Sequence, residues 1–577
     1  MERLTLSKVK NIFGSRMVVV LATALFCGLA MFVYLAGEIR GLLAWHVLPA
    51  LVFGIPKAMI AHGMPILYET PGHVGWDGQF YYYIANDLRL TADTISHLDS
   101  PTYRYQRIGL ALAANFVALL TLQSWVTPFI YWGTNVLLVA AGAFALASII
   151  KRLTLPVPLA LLWSLGAGVQ VTVLNGLPDA AGDAFFLIAL ACLMNERRLA
   201  YVLAATMAVL TREAFVVAAG GLFLLEFGRL WNDKNATTRF WAKRLLTMAM
   251  PGVALILWQL SIYARFGRLP SQEPGVAGGL INLPFAGWWQ TVVGTFYGNH
   301  IFFGANAPWT ERWLEPLHGI LLILSSVACV ILLRSRDLSS IQSKIGAALL
   351  PFALLSTTLG PVVTGHWSGY LKATTILLVP LLAVVAKFDA RYRAVSIACL
   401  SGYMLLQQAA FWDRVIPDGP SSSNQFGSIE AISGKPAKDF PKTLACLGDY
   451  RSKIELKGIE NFDRRPLFRT LLGRPQRYRL DVDVTNVTDK PWQYAQGAGA
   501  VALVGRWVQP GTNLEVGQSR RAIIGNDLQP GETRRLSLIV DIPPYANSSD
   551  FIITLIQDGC AWFSDARPAD SLRLQLH

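Results

Sequence analysis

The stretch IGLALAANFVALLTLQSWVTPFIYWGTNVLLVAAGAFALASII, residues 108–150, decides the fold class because it contains no charged side chain. As a helix this run would extend about 65 Å, at roughly 1.5 Å per residue, whereas the hydrocarbon core of a bilayer is about 30 Å thick. The stretch therefore exceeds two bilayer widths, and it predicts an integral membrane protein.

The composition of the whole chain agrees with this prediction. Of its 577 residues, 53% are hydrophobic and only 15% are charged, whereas about 25% of the residues in a soluble domain are charged. Uncharged runs fill residues 17–411, and the rest of the chain has an ordinary polar composition. We therefore predict a transmembrane domain at 1–411, a connector at 412–477 and a separate domain at 478–577.

The basic residues predict the orientation in the membrane. The net charge of +13 comes from short basic groups between apolar segments, as the positive-inside rule requires, and not from one cluster that would bind nucleic acid. The basic stretch Met1–Arg16 predicts a cytoplasmic N-terminus. About eleven spans are expected, so the C-terminal domain should lie outside. The predicted spans lie near residues 17–36, 128–150, 157–173, 180–194, 199–211, 214–230, 245–262, 315–334, 344–361, 371–387 and 392–411.

Two further apolar segments, 42–60 and 107–124, leave one alternative open. If both crossed the membrane, the loop around Asp77 would be cytoplasmic. We interpret both as helices at the outer interface, because the first carries His46 and two prolines and the second opens with the aromatic and basic sequence YRYQR. The first periplasmic loop is then residues 37–127, and Asp77 faces the periplasm.

An acidic residue stands among aromatics in HVGWDGQFYYYIANDL, residues 73–88. Gly75 and Gly78 flank the acid and permit a tight turn that would aim Asp77 into a cavity. Alternatively, Asp77 caps the helix that follows, because Asp is a favoured N-cap residue. The tyrosines that follow, Tyr81 and Tyr82 among them, can line a substrate pocket or belong to an interfacial aromatic belt.

These segments resemble the GT-C superfamily, multi-span glycosyltransferases that use polyprenyl-phosphate sugars as donors. The resemblance covers the transmembrane domain and rests on the large first outer loop, on WDGQFYYYIANDL (76–88) and on YRYQRIGL (103–110). NGLPDAAGDAFFLIAL (175–190) and LTREAF (210–215) are similar to segments where such enzymes carry an acidic and a basic residue. Many relatives have paired acids in the first loop, whereas Asp77 has no adjacent acid.

The resemblance implies a set of site residues. Asp77 is the candidate base, and Asp87 and Asp179 are the further catalytic candidates. The substrate-binding candidates are Tyr81, Tyr82, Arg107, Asp183, Arg212, His366 and Lys372. We interpret the other acids of the first loop, Asp93 and Asp99, as solvated.

The acids and the arginine of the membrane domain allow two interpretations each. Asp179 and Asp183 are four residues apart, so in a helix they share a face, which either lines a polar cavity or compensates a helix N-terminus. The apolar run Leu199–Thr211 is too short to cross the bilayer, so Arg212 should lie below the membrane surface. A buried arginine needs an anion, and Glu213 or a polyprenyl phosphate can supply it.

Lys372 opens the predicted span at 371–387. Its ammonium group can snorkel to the interface, but GT-C relatives carry a basic residue in a comparable late span that contacts the donor phosphate. By that resemblance Lys372 is a phosphate ligand. His366, six residues earlier, is the weaker candidate, since a single histidine beside an outer loop usually has a structural hydrogen-bonding role.

The C-terminal part predicts an antiparallel β-sandwich at 478–577, because short alternating segments are separated by Gly, Pro and Asn turns. It looks like the immunoglobulin-like modules attached to bacterial carbohydrate-handling proteins. Its tryptophans, including Trp492 and Trp507, are core residues or sugar-stacking platforms. Cys446 and Cys560 can pair if this domain is extracytoplasmic. The chain has no CxxC motif or Cys/His spacing typical of a metal site, so no cofactor is expected.

Together these features favour a membrane glycosyltransferase of the GT-C type in the bacterial inner membrane. It would transfer a sugar from a polyprenyl-phosphate donor to a periplasmic glycan, lipid or protein, with inversion if the reaction is a single displacement. Its partners are this donor, the acceptor and membrane lipid, and nucleic acid is not expected. The alternatives are a flippase or transporter for polyprenyl-linked sugars, and a non-catalytic envelope scaffold.

Overall fold

A computed structural model describes two units of the chain, helices up to residue 415 and strands after residue 444. The described residues are 6–38, 56, 77–232, 237–273, 280–297, 300–301, 309–335, 337–415, 444–461, 477–493, 500–511, 515–519, 522–524, 527–542, 549–557 and 559–575. The predicted interfacial helix at 42–60 and the flanking Gly75 lie outside the described residues, except for Pro56.

Helices make up nearly all of the described part of the first unit. They are α1 (Leu6–Glu38), α2 (Gly78–Asn86), α3 (Ala92–Ile95), α4 (Pro101–Tyr105), α5 (Gly109–Leu120), α6 (Pro128–Arg152), α7 (Leu161–Ser164), α8 (Ala167–Leu174), α9 (Asp179–Met194), α10 (Arg198–Thr211), α11 (Phe215–Trp231), α12 (Thr238–Phe266), α13 (Ala286–Tyr297), α14 (Trp309–Leu333), α15 (Ile341–Thr357), α16 (Pro361–Thr364), α17 (Trp367–Thr374), α18 (Leu378–Val385) and α19 (Ala390–Val415). Short 3-10 turns precede α7 and α18.

Local sequence signals explain the ends of the long helices. Thr127 caps α6 by accepting a hydrogen bond from the Ile130 N–H at 3.2 Å, and Pro128 occupies the first turn. Thr237 caps α12 in the same way. Gly267 ends α12 with φ +69°, a left-handed conformation that glycine adopts without strain. These caps bound helices whose apolar side chains then pack together.

Among the described residues, six helical segments are long and apolar enough to cross a membrane, which indicates a membrane protein. They are Ser15–Phe32, Pro128–Arg152, Thr238–Phe266, Arg312–Leu333, Trp367–Val385 and Ala390–Trp412. Four other predicted spans coincide with α9, α10, α11 and α15, which have only 14 to 17 residues. The α5 helix has 12 residues, about 18 Å, and is too short to cross the hydrocarbon core. The count of eleven spans therefore stays a prediction.

A seventh candidate span is broken. The segments Val157–Ser164 and Ala167–Leu174 meet at an angle of 53° around Gly166. Glutamine side chains bond the backbone groups that the break exposes. Gln407 accepts a hydrogen bond from the Ala167 N–H at 3.3 Å, and Gln170 donates to the Ser164 carbonyl at 2.6 Å. The break is thus built into the fold, because its backbone groups do not remain unpaired.

The second unit consists of antiparallel strands. They are β1 (Ser452–Asn461), β2 (Arg477–Asn486), β3 (Val501–Val508), β4 (Glu515–Gln518), β5 (Ala522–Ile523), β6 (Thr533–Asp541), β7 (Asp550–Gln557), β8 (Ala561–Trp562) and β9 (Leu572–Leu574). A short helix, α20 (Phe563–Ala566), lies between β8 and β9. One sheet has the order β1-β2-β6. The other has the order β4-β3-β7-β8, with β5 paired to β3 and β9 paired to β7.

The two sheets share one apolar core. Leu480 and Leu538 of the first sheet and Leu503 and Phe551 of the second belong to the same buried cluster. Trp492 and Trp507 lie in this core, with exposures of 1% and 2%, so they are not sugar-stacking platforms. Trp562 is partly buried and stacks under the Arg506 guanidinium at 4.2 Å from the ring centroid. Alternation with a period of two thus predicted β2, β3, β6 and β7, but β1 lies in the segment that we predicted as a connector.

Cys446 and Cys560 form a disulfide, with their Cα atoms 5.5 Å apart. The bond joins the segment before β1 to the turn between β7 and β8, so it closes a loop across a sequence separation of 114. The other described cysteines, Cys27, Cys192, Cys329 and Cys399, are free.

Candidate functional site

The candidate site begins at Asp77, which directly precedes the nine-residue helix α2. Asp77 occupies the N-cap position, but its side chain makes no capping hydrogen bond. Its carboxylate instead accepts a hydrogen bond from Arg104 Nη1 at 2.8 Å through Oδ2. The side chain is 45% exposed. The capping interpretation of Asp77 is therefore wrong, because the carboxylate points to an arginine and to solvent.

Gly78 serves close packing and not a turn. The backbone of Asp77 is ordinary right-handed helix, with φ −54° and ψ −21°. A Cβ atom on Gly78 would lie 2.0 Å from the carbonyl oxygen of Asn175. Glycine is thus required because the start of α2 touches the end of α8, which corrects the prediction that Gly78 supplies a tight turn.

Arg104, in α4, joins two acids of the first loop. Its Nε and Nη2 atoms donate to both oxygens of Asp99 at 2.8 and 2.6 Å, while Nη1 donates to Asp77. The guanidinium lies over the rings of Phe80 and Tyr81, at 5.0 and 5.8 Å from their centroids. Asp99 is therefore not the solvated acid that we predicted. It pairs with Arg104, so Asp77 and Asp99 are joined through one arginine.

Lys372 is the second cation near Asp77. It lies in α17, is half-buried, and forms no hydrogen bond or ion pair with any described residue. Burial alone would raise the pKa of the Asp77 carboxyl, but the charges of Arg104, Lys372 and Arg107 outweigh burial and hold this pKa below its usual value. Asp77 is therefore ionised at neutral pH beside an ammonium group that lacks a fixed partner.

Arg107 forms a separate ion pair at the edge of this cluster. Its Nε and Nη2 atoms donate to the two oxygens of Glu213 at 2.8 and 2.6 Å, a bidentate geometry that is strong and directional. The guanidinium also lies 4.9 Å from the centroid of the Tyr103 ring. Glu213 is thus the partner of Arg107, and it does not supply the anion for Arg212 as one of our alternatives proposed.

Arg212 is compensated by the two acids of α9. Its guanidinium lies 3.8 Å from Asp179 and 3.5 Å from Asp183, and Nη2 donates to the Ala373 carbonyl at 2.5 Å. The two acids share one helical face, as their spacing predicted. Because Arg212 is buried with its charge already paired, its role as a phosphate ligand stays a prediction.

Four consecutive residues at the end of α17 and just after it each interact with a different group. The charge of Lys372 acts on Asp77, and the carbonyl of Ala373 binds Arg212. The Thr374 hydroxyl lies 2.6 Å from Nε2 of His318, and the Thr375 hydroxyl donates to the buried carboxylate of Asp183. Arg212 and Asp183 therefore hold the segment that carries Lys372.

Other predicted site residues lie elsewhere. Asp87 ends α2, roughly 15 Å of helix from Asp77, and its Oδ2 accepts hydrogen bonds from the N–H and hydroxyl of Thr91 at 2.7 and 2.8 Å. The Tyr82 ring packs against Tyr131, with 5.5 Å between centroids. The structure therefore does not bring Asp87 and Tyr82 together with Asp77.

The aromatic residues of α2 are interior residues. Tyr81, Tyr82 and Tyr83 are each at most 1% exposed, so they do not form an interfacial aromatic belt. Of the three tyrosines, Tyr81 borders the candidate site through its hydroxyl, 3.5 Å from Arg104 Nη1. His366 caps α17, since its Nδ1 accepts from the Ser368 N–H at 3.1 Å.

Arg104 and Asp99 are the residues that our sequence reasoning missed. The available sequence signal was that Asp99 and Arg104 are five residues apart, on either side of Pro101, the first residue of α4; this spacing could have predicted the ion pair. Within the described part of the chain, no group of three or more His, Cys, Asp or Glu side chains has a geometry that could hold a metal ion. The cluster's chemistry thus consists of an exposed carboxylate oxygen, an unpaired ammonium and two paired arginines.

Comparison with protein-family models, with curated proteins and with solved structures finds no match to this chain. The geometry of the Asp77 cluster therefore carries the functional argument.

Proposed function

We propose that the helical unit is a membrane glycosyltransferase that takes its sugar from a polyprenyl-phosphate donor. One observation carries this proposal. Asp77 is ionised, is 45% exposed and does not cap its helix, and its pKa is lowered by the charge of Lys372, whose ammonium group has no partner among the described residues. A carboxylate and a cation that interact electrostatically can act on the two ends of a transfer reaction.

Asp77 is the proposed base. Its Oδ2 is bound to Arg104, while Oδ1 makes no hydrogen bond to the described residues. Oδ1 can therefore accept a hydrogen bond from the acceptor hydroxyl and take its proton as the new glycosidic bond forms. Arg104 orients the carboxylate and keeps it ionised. Attack opposite the phosphate inverts the anomeric centre if the transfer is a single displacement.

Lys372 is the proposed phosphate ligand. The departing polyprenyl phosphate gains negative charge as the sugar–oxygen bond breaks, and a cation fixed in place stabilises that charge. Lys372 is half-buried and forms no ion pair with a carboxylate of the described residues. Arg212 already pairs with Asp179 and Asp183, so we assign it the role of holding the Lys372 segment through Ala373.

The proposed location is the outer face of a bacterial inner membrane, with the C-terminal unit in the periplasm. The disulfide between Cys446 and Cys560 supports an oxidising compartment for this unit. The acceptor is a periplasmic glycan, lipid or protein.

The test is transfer by the purified full chain with a panel of undecaprenyl-phosphate hexoses and pentoses, measured as release of undecaprenyl phosphate. Asp77→Asn should lower release by about two to four orders of magnitude, the usual contribution of a general base. Asp87→Asn is the matched control, because Asp87 ends the same helix and accepts hydrogen bonds from Thr91, away from the Arg104 pair. Equal loss in both variants, or unchanged release in Asp77→Asn, would contradict the proposal.

A second candidate is a flippase or transporter for polyprenyl-linked sugars, which the broken helix around Gly166 favours. Translocation of the same lipids across vesicles, without release of undecaprenyl phosphate, would support it. A chain that neither transfers nor translocates these lipids would fit the envelope scaffold.

A further inference from the structure

Glu315, in α14, is a buried acid outside the Asp77 cluster. Its side chain lies in the candidate span Arg312–Leu333 and has 0% exposure. Oε2 accepts a hydrogen bond from the Thr295 hydroxyl at 3.1 Å, and Oε1 has no hydrogen-bond partner among the described residues. An acid within a membrane span is costly and normally marks a binding or transport role.

The other buried carboxyls of the described chain each have an arginine. Asp179 and Asp183 pair with Arg212, Glu226 pairs with Arg244 at 2.5 Å, and Glu273 pairs with Arg268 at 2.9 Å. Among the five buried carboxyls that the structure describes, Glu315 alone has no ion pair. A buried carboxylate without a cation is so unfavourable that it must be neutralised by another species.

Oxygen atoms surround this carboxyl. Thr291 and Thr295 lie four residues apart on α13, so they share the face that meets Glu315. The Thr295 hydroxyl also contacts the Thr291 carbonyl at 3.0 Å, and the Thr291 hydroxyl lies 3.3 Å from the Thr364 hydroxyl of α16. Hydroxyl, carbonyl and carboxylate oxygens are the ligands that small hard cations prefer.

No described charged side chain acts on Glu315 electrostatically. The other titratable side chains at this level are His318 on α14 itself, Tyr370 of α17 and Tyr403 of α19. Both tyrosines contact the His318 ring, and its nitrogens are occupied by the hydroxyls of Tyr403 and Thr374. No residue of the described chain is therefore placed to neutralise Glu315.

We propose that Glu315, with the hydroxyl groups of Thr291 and Thr295, is a binding site for a monovalent cation, either a proton or a sodium ion. Both ions neutralise the carboxylate, and the sodium ion would also use the free Oε1 atom. The site is independent of the proposed sugar transfer, because it is formed by α13, α14 and α16 and not by the Asp77 cluster.

Dicyclohexylcarbodiimide tests this proposal, since this apolar reagent adds to protonated carboxyls within membranes and leaves ionised ones unmodified. The purified full chain is labelled between about pH 5 and about pH 9, and the modified residues are mapped by mass spectrometry. We expect label on Glu315 that falls about tenfold for each pH unit above its midpoint. Glu226 is the matched control, because it is a buried carboxyl that forms ion pairs with Arg229 and Arg244.

The effect of sodium on the labelling of Glu315 shows whether the site binds sodium or a proton. If sodium chloride lowers the labelling of Glu315 and choline chloride does not, sodium binds, and Thr295→Val should weaken this protection about tenfold or more. If only pH changes the labelling, the site binds a proton. Labelling of Glu315 that varies with neither pH nor sodium would overturn the proposal.

A second measurement covers the case in which the reagent does not reach the site. Glu315→Gln is neutral at every pH, so the thermal unfolding midpoint of the wild-type chain should fall relative to that of the variant as pH rises without sodium. Absence of label together with a pH- and sodium-independent difference between the two midpoints would also overturn the proposal. Absence of label with a difference that depends on either would support it.

Discussion

Replacement of Arg104 by glutamine tests how the candidate site controls its base. Arg104 is 8% exposed as a side chain and donates to Asp77 at 2.8 Å and to Asp99 at 2.8 and 2.6 Å. Glutamine keeps much of the volume but removes the charge and the fork geometry. Burial, which raises the pKa of Asp77, then acts against the charges of Lys372 and Arg107 alone.

The expected shift has a definite sign. In the wild-type chain the pKa of Asp77 lies below its usual value of 3.8, so the carboxylate is ionised and transfer is constant above that range. An arginine neighbour lowers a carboxyl pKa by about one to three units, so its removal should move the acid limb of the pH–rate profile upward by a similar amount. Transfer by the variant is then lost at mildly acidic pH.

The same substitution should lower stability. Breaking a buried ion pair costs about 3–5 kcal/mol of unfolding free energy. The cost is smaller here, because the side chains of Asp77 and Asp99 are 45% and 26% exposed and water can solvate the carboxylates once Arg104 is removed. We therefore expect a loss of about 2–3 kcal/mol of unfolding free energy. Adding Asp99→Asn to Arg104→Gln should restore part of the lost unfolding free energy, because the double variant has one fewer carboxylate without an arginine partner.

The assay is the release of undecaprenyl phosphate measured between about pH 4 and about pH 8, with thermal unfolding in the same detergent. Asp99→Asn alone is the control, since it leaves the bond between Arg104 and Asp77 in place and should not raise the acid limb. The reasoning is refuted if Arg104→Gln is active and its acid limb coincides with that of the wild type.

Three further predictions concern the site and the fold. Lys372→Gln should lower the rate of release about ten- to a hundredfold, the loss of one charge-assisted hydrogen bond, and should move the acid limb upward by less than Arg104→Gln does, because the charge of Lys372 also lowers the pKa of Asp77; an unchanged rate would contradict it. Replacing Cys446 and Cys560 by serine should cost the C-terminal unit about 4–5 kcal/mol by loop entropy for a separation of 114; an unchanged unfolding midpoint by tryptophan fluorescence would refute this. Gly78→Ala should lower stability by about 2–3 kcal/mol in chemical denaturation, because its Cβ would lie 2.0 Å from the Asn175 carbonyl oxygen; a neutral effect would show that α2 can move.

Local features of this chain were predictable from residue order because they depend on neighbours along the chain. The absence of charge at 108–150 predicted apolar helices, and alternation predicted the strands of the C-terminal unit. The spacing of Asp179 and Asp183 predicted a shared helical face, on which both acids meet Arg212. Lengths such as the 14 residues of α10 followed in the same way.

The partners of the charged residues were not predictable, because they come from distant parts of the chain. The hydrogen bond from Arg104 to Asp77 spans 27 residues of sequence, and the bond from Arg107 to Glu213 spans 106. The bond from Arg212 to the carbonyl of Ala373 spans 161. For Arg212 the residue beside it in the sequence, Glu213, was the wrong partner. Adjacent residues of a chain that turns out of a helix point in different directions.

The amino-acid sequence alone therefore determined that this is a membrane protein with apolar helices, a β-rich C-terminal unit and an acid at Asp77. Only the tertiary structure decided that Asp77 binds Arg104 and does not cap α2, that Lys372 has no partner among the described residues, and that no described residue compensates the buried Glu315. The reason is physical. Apolar burial depends on composition along a segment, whereas the state of a charge depends on which few atoms lie within several ångströms of it.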